Sequence, residues 1–199
     1  MLLEAKNIFF RYEKKGRFIL ENLSFSIENT QRIGIIAPSG FGKTTLCKLL
    51  SGYLKPTAGS ILLDGNPFPK GYCPVQMIWQ HPDMAVNPKL VMKKILEEGD
   101  AISEEIIAGL GIQKNWLYRF PNTLSGGELQ RFCIARALGK KTHFLLADEI
   151  TTMLDLVTQS QIWHFLLQEV EKRKIGLLVV SHDIALLKQV TTQQIYLKP

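Results

Sequence analysis

Hydrophobic and polar positions along this chain change period twice. Over residues 2–36, three apolar stretches, "IFFRY", "ILENLSFSI" and "RIGIIA", are separated by polar turns containing Gly16 and Asn29, which predicts a β-rich opening. "KTTLCKLLSG" follows with helical spacing: Leu46, Leu49 and Leu50 share one face, and Gly52 marks the stop. "GSILLDG" and "VQMIW" read as two further strands, the second reaching Gln80. From Pro82 to about Lys141 the pattern turns helical, in "KLVMKKILEEG", "SEEIIAGLGI" and "GELQRFCIARALG". "HFLLAD" and "GLLVVS" then return as strands with no polar alternation, the pattern of strands covered on both faces of an α/β sheet. The helical "LVTQSQIWHFLLQEVEKR" lies between them, and a short last strand ends the chain. There is no internal repeat or low-complexity tract, so the expected architecture is an α/β core carrying an inserted helical lobe.

Composition narrows this only slightly. A chain of 199 residues, 46% apolar and 21% charged, suits one ordinary globular domain with a sizeable core. The net charge of +6 fits phosphate ligands, an anionic membrane surface or nucleic acid, without choosing among them. Cys47, Cys73 and Cys133 lack paired spacing and read as reduced thiols rather than disulfides or a zinc site. "MLLEAKNIFFRYEKK" lacks the basic-then-apolar order of a signal peptide, and no apolar run approaches the ~20 residues of a membrane helix. The chain is therefore expected in the cytosol, with any membrane role exerted through a partner.

The chemistry begins at "APSGFGKT", Ala37–Thr44, placed after a strand and at the start of a helix. Backbone N–H groups from Ser39 through Gly40, Phe41 and Gly42 to Thr45 can point at phosphate oxygens, aided by the positive end of the helix. Lys43 would reach the β- and γ-phosphates, and the Thr44 hydroxyl is a hard ligand suited to Mg²⁺. Ala37, followed by Pro38, stands where such loops usually open with glycine. If its φ must be positive, the methyl costs roughly 1–2 kcal/mol; if not, only room for a methyl is needed.

"NTLSGGELQR", Asn122–Arg131, leads into another helix. Here the chain closely resembles the ATPase subunits of ABC transporters, whose signature is Leu-Ser-Gly-Gly-Glu/Gln. Ser125 supplies a hydroxyl, Gly126 and Gly127 allow close backbone approach, and the helix start attracts a γ-phosphate. An ordinary N-cap, with Ser125 capping and Glu128 closing a capping box, reads the same residues but does not require the glycine pair. The resemblance implies that Ser125, Gly126, Gly127 and Glu128 complete the ATP site of a second subunit packed head to tail.

The remaining roles follow from the same resemblance. In "HFLLADE", Asp148 would hold Mg²⁺ through its water shell, and Glu149 would be the general base that orients the attacking water. His182 in "VVSHD" matches the switch histidine that contacts the γ-phosphate. Gln80 matches the glutamine that senses Mg²⁺ and water, beside a loop that touches the membrane partner. Tyr12 aligns with the aromatic that stacks on adenine. "ITTMLD" is the weakest match: Thr151, Leu154 and Asp155 fit the loop that signals across the dimer, whereas Ile150, Thr152 and Met153 depart.

Such a resemblance, covering Leu2 to about Leu197, implies a phosphate-loop NTPase core with an antiparallel β subdomain and an inserted helical subdomain. The core would span about 1–80 and 142–199, and the helical part about 82–141. "QHPDMAVNP" and "FPNTLSGGELQR" further resemble importers of dipeptides, oligopeptides and nickel or metallophores. With Leu124 only 44 positions after Gln80, the helical lobe is expected to be trimmed, and the usual C-terminal extension after the final strand is expected to be missing. The expected cofactors are ATP and Mg²⁺. The expected partners are transmembrane permease subunits, a second ATPase subunit in a homodimer or heterodimer, and an extracytoplasmic solute-binding protein, at the cytoplasmic face of the membrane. Nucleic acid is not expected. The alternatives are a soluble ABC ATPase acting on nucleic acid and a poorly hydrolysing regulatory partner.

Overall fold

The computed structural model describes every residue except Ser39, Met153, Lys198 and Pro199. In chain order the strands are β1 (Leu2–Phe10), β2 (Leu20–Glu28), β3 (Arg32–Ile36), β4 (Ala58–Leu63), β5 (Val75–Ile78), β6 (Phe144–Asp148), β7 (Gly176–Val180) and β8 (Gln193–Tyr196). The helices are α1 (Lys43–Leu50), α2 (Met92–Glu97), α3 (Glu104–Gly109), α4 (Gly126–Ala137), α5 (Leu156–Arg173) and α6 (Ile184–Val190). The strands form an antiparallel sheet in the order β2-β1-β4 and a parallel sheet in the order β5-β6-β7-β3-β8.

Period-two alternation in the parallel sheet divides the core into two layers. On one face Phe144, Leu146, Leu178 and Val180 join Leu46, Leu49 and Leu50 of α1 and the inward residues Leu3, Ile8 and Ile27 of the antiparallel sheet. On the other face Leu145, Ala147, Leu177 and Val179 join Phe132 of α4 and Ile162, Trp163 and Leu166 of α5. Every residue of β6 and β7 is buried, as expected of runs that are apolar apart from the carboxyl-terminal Asp148 of β6.

Boundaries differ from expectation in three places. β1 runs Leu2–Phe10 rather than centring on "IFFRY", because register shifts and a left-handed Asn7 (φ 48°) keep Leu3, Ala5, Ile8 and Phe10 facing inward. The helix expected in "KLVMKKILEEG" begins only at Met92, since Val91 is extended (φ −71°, ψ 154°). The seven-residue α6 carries only two buried residues, Leu187 and Val190, too few for its periodicity to stand out. Residues 82–141 hold α2, α3, α4 and 3₁₀ turns at Pro82–Ala85, Lys114–Tyr118 and Pro121–Thr123, with no strand among the described residues.

The strand order does the positioning. In parallel sheets, ligands bind beyond the carboxyl ends of the strands. Because β5, β6, β7 and β3 are consecutive neighbours, their carboxyl ends bring together Gln80, Asp148–Glu149, Ser181–His182 and the Ala37–Thr45 loop, segments scattered through the sequence.

Candidate nucleotide-binding site

The loop after β3 closes on its own lysine. Lys43, only 7% exposed, donates from Nζ to the carbonyls of Ala37 (2.8 Å) and Pro38 (3.1 Å), partners that carry no formal charge. Ala37 is absent from the non-glycine residues with positive φ, so its methyl needs only space, and the strain considered above does not arise. The left-handed turns fall on Gly40 (φ 76°) and Gly42 (φ 87°) instead. Ser39 lies outside the described residues.

A Cβ at Gly42 would stand 2.7 Å from Cγ2 of Ile19. Gly42→Ala is therefore expected to cost the fold roughly 1–2 kcal/mol through its left-handed backbone alone, readable as a lower melting temperature of the nucleotide-free protein. Ile19, Tyr12, Gly40, Gly42, Lys43, Thr44, Thr45, Glu149 and His182 line a hollow of about 340 Å³. Tyr12 is 62% exposed and reaches over the loop, its hydroxyl 3.0 Å from Oγ1 of Thr45 and its ring edge-on to Phe10.

Beside the cradle, Glu149 is engaged on both carboxylate oxygens. Nε2 of Gln80 donates to Oε2 (3.0 Å), and Nε2 of His182 sits 2.8 Å from Oε1. Residues 80, 149 and 182 thus form one polar cluster across three strand ends. Asp148 is 2% exposed, and burial pushes its carboxyl above the usual range. A hydrogen bond from the Thr44 hydroxyl opposes that rise, Glu149 adds to it, and Lys43 and Lys48 act against it.

The sign of this shift predicts a stability profile. A carboxyl raised in the fold holds its proton more tightly there than in the unfolded chain. Stability is therefore highest below the ordinary carboxylate value and falls as pH climbs towards the raised one. Asp148→Asn is expected to remove this slope and raise the melting temperature of the nucleotide-free protein at neutral pH while abolishing turnover. Thermal melts from acid to neutral pH check it.

The Ser125 segment forms a second, separate hollow. Oγ of Ser125 accepts from the amide of Glu128 (3.2 Å), and Oε2 of Glu128 accepts from the amide of Ser125 (2.8 Å), a complete capping box. A Cβ at Gly126 would meet nothing within 4 Å, and its φ is not positive, so nothing among the described residues demands glycine there. At Gly127 a Cβ would lie 3.0 Å from Leu154. Ser125, Gly127 and Glu128 line a hollow of about 290 Å³ with Trp116, Arg131, Leu154, Asp155 and Thr158, sharing no residue with the cradle hollow. Asp155 caps α5 by accepting from the amide of Thr158 (2.9 Å), which holds its carboxyl below the usual range.

The sequence profile of the family described as ABC transporter matches residues 20–152. The chain belongs to the ABC transporter family. This ABC cassette is 30% identical, over 99% of its length and 87% of the relative's, to the nickel import system ATP-binding protein NikE of Staphylococcus aureus strain bovine RF122 / ET3-1. It is 29% identical, with the same coverage, to the protein of that name in strain N315. Among solved structures it is similar to the dimeric bacterial ABC transporter cassette MJ0796, with a TM-score of 0.83 and 26% identity over 98% of this chain and 94% of that one. It is also similar to that cassette's dimeric post-hydrolysis state bound to ADP and Pi (TM-score 0.82, 26% identity, the same coverage). The fold is therefore that of an ABC ATPase, and the cassette binds and hydrolyses ATP.

Two members of the cassette's site escaped the sequence reading. Ile19 narrows the cradle beneath Gly42, and Trp163 braces the turn after Glu149 through Thr151, which the sequence placed only in the loop expected to signal across the dimer. Neither Ile19 nor Trp163 belongs to a motif, and each acts through a contact with another segment.

Proposed function

We propose that this cassette energises an importer of a small solute, of the peptide or nickel type, by clamping ATP between two ATPase subunits. The observation that carries the reading is the pair of hollows that share no residue: a cradle with a buried cation, and a capped glycine pair in which no contact among the described residues requires Gly126 to be glycine. Each supplies half of a nucleotide site, so a head-to-tail second subunit, a copy of this chain or a related one, supplies the other half.

In this account Lys43 leaves the carbonyls of Ala37 and Pro38 for the β- and γ-phosphates, and the amides from Gly40 to Thr45 orient the triphosphate. Tyr12 releases Thr45 and stacks on the base. Ser125–Glu128 of the partner close over the γ-phosphate, while Asp155 lies at the same face. Glu149 takes a proton from the attacking water, with His182 and Gln80 fixing its carboxylate.

The residues present also fit Mg²⁺. The Thr44 hydroxyl beside the Asp148 carboxylate, with Gln80 nearby, is a hard-oxygen set, and no group of three His, Cys, Asp or Glu residues able to hold a metal occurs among the described residues. Such a set suits a cation that keeps its waters and phosphate oxygens, which when bound neutralises charge on the transferred phosphoryl group.

No helix among the described residues is long and apolar enough to cross a membrane, so the cassette would act at the cytoplasmic face through permease subunits and a solute-binding protein. Residues 1–80 and 142–199 would form the ATPase core and 82–141 the helical lobe facing those subunits. The test is uptake of radiolabelled nickel or a labelled dipeptide into vesicles holding the complete transporter. ATP-dependent uptake that stops with Glu149→Gln supports the proposal. Uptake that continues without ATP turnover refutes it.

A further inference from the structure

Glu149 is held by more than the two side chains on its carboxylate. Its φ of 51° is left-handed, a conformation residues bearing a Cβ rarely adopt unless their surroundings impose it. On one side its amide donates to the carbonyl of Val180 (2.9 Å), fixing the turn to the end of β7. Its own carbonyl accepts from Oγ1 (3.0 Å) and the amide (3.4 Å) of Thr152. Between them, Thr151 is 2% exposed, and its Oγ1 accepts from the indole Nε1 of Trp163 at 3.1 Å. Among the described residues this is the one side-chain hydrogen bond tying Thr151 to another element. Trp163, itself 4% exposed, lies on α5, the helix that leaves the same turn under the Asp155 cap.

We propose that Trp163 is a positioning residue for Glu149: its buried hydrogen bond to Thr151 holds the 149–152 turn in the left-handed form that aims the carboxylate into the cradle. The inference rests on the reading of Glu149 as the general base. Directionality is what makes the indole suitable. An apolar ring of similar size would fill the space, but only a donor aimed at Oγ1 fixes where Thr151, and hence the backbone two residues earlier, must lie.

ATP hydrolysis by the chain tests this with six variants. Trp163→Phe and Thr151→Val are each expected to lower kcat by about 10- to 100-fold with KM changed less than about threefold, as for a misplaced catalytic group. The double variant should be no worse than the poorer single one, because one interaction is being removed twice. Thr151→Ser keeps the acceptor and should keep kcat. Val170→Ala, a buried change farther along α5, should lower the melting temperature yet leave kcat intact. Should Trp163→Phe fail to fold, the Thr151 Val and Ser pair carries the comparison. Undiminished kcat in Trp163→Phe and Thr151→Val overturns the proposal, as does an equal fall in Val170→Ala. If Glu149→Gln itself keeps turnover, the base assignment fails and takes the proposal with it. If Glu149→Gln is inactive while Trp163→Phe and Thr151→Val are unaffected, only the positioning role fails.

Discussion

Glu149→Gln is expected to bind ATP as tightly as the unmodified chain and to lose turnover by on the order of 10²–10⁴-fold, the contribution of a positioned general base. The geometry makes the variant clean. The amide keeps a carbonyl oxygen that can accept from Gln80 or His182, so the cluster at 3.0 Å and 2.8 Å loses its base without losing its shape. Glu149 lines the cradle but is not a partner of Lys43, whose loop is proposed to hold the phosphates, so affinity should survive. Single-turnover hydrolysis beside equilibrium ATP binding separates the two quantities. Equal loss in both would mean that Glu149 serves binding rather than chemistry.

Lys43→Ala is expected to act the opposite way. Its ammonium is buried and faces two carbonyls, so it can exchange those partners for phosphate without leaving its place. Truncating one side of a buried charge-assisted contact costs roughly 2–5 kcal/mol, which corresponds to weaker ATP binding by tens- to thousands-fold. The same change frees the carbonyls of Ala37 and Pro38, so the loop itself should loosen. Nucleotide titration by calorimetry, with melting curves in the absence of ATP, distinguishes the lost phosphate contact from a collapsed loop.

The cradle was legible because all its recognition atoms lie on one continuous stretch after an apolar strand. β6 and β7 were legible for a similar reason: short apolar runs without polar alternation, broken in β6 only by its terminal Asp148, have few alternatives to a doubly covered sheet. Glu149, Gln80 and His182 were nameable through family resemblance, yet their mutual contact depends on the order β5-β6-β7-β3, which no single stretch encodes. The conformation of Ala37 was open in the sequence, since an alanine there is compatible with either sign of φ. The Thr151–Trp163 bond was invisible, because the motif that contains Thr151 says nothing of its buried partner and no motif surrounds Trp163. Conversely, two of the departures in "ITTMLD" acquire roles once seen in place: Ile150 is buried, and Thr152 grips the carbonyl of Glu149, while Met153 lies outside the described residues.

The claim that matters most is that one chain carries two unmatched halves of an ATP site. Specific ATPase activity measured across a dilution series, with light scattering in ATP–Mg²⁺ at each concentration, tests it most directly. Activity per chain that falls on dilution in step with loss of the ATP-dependent dimer is the predicted result. A constant activity per chain from a species that remains monomeric would contradict it, because the cradle would then be complete without the Ser125–Glu128 segment of a partner.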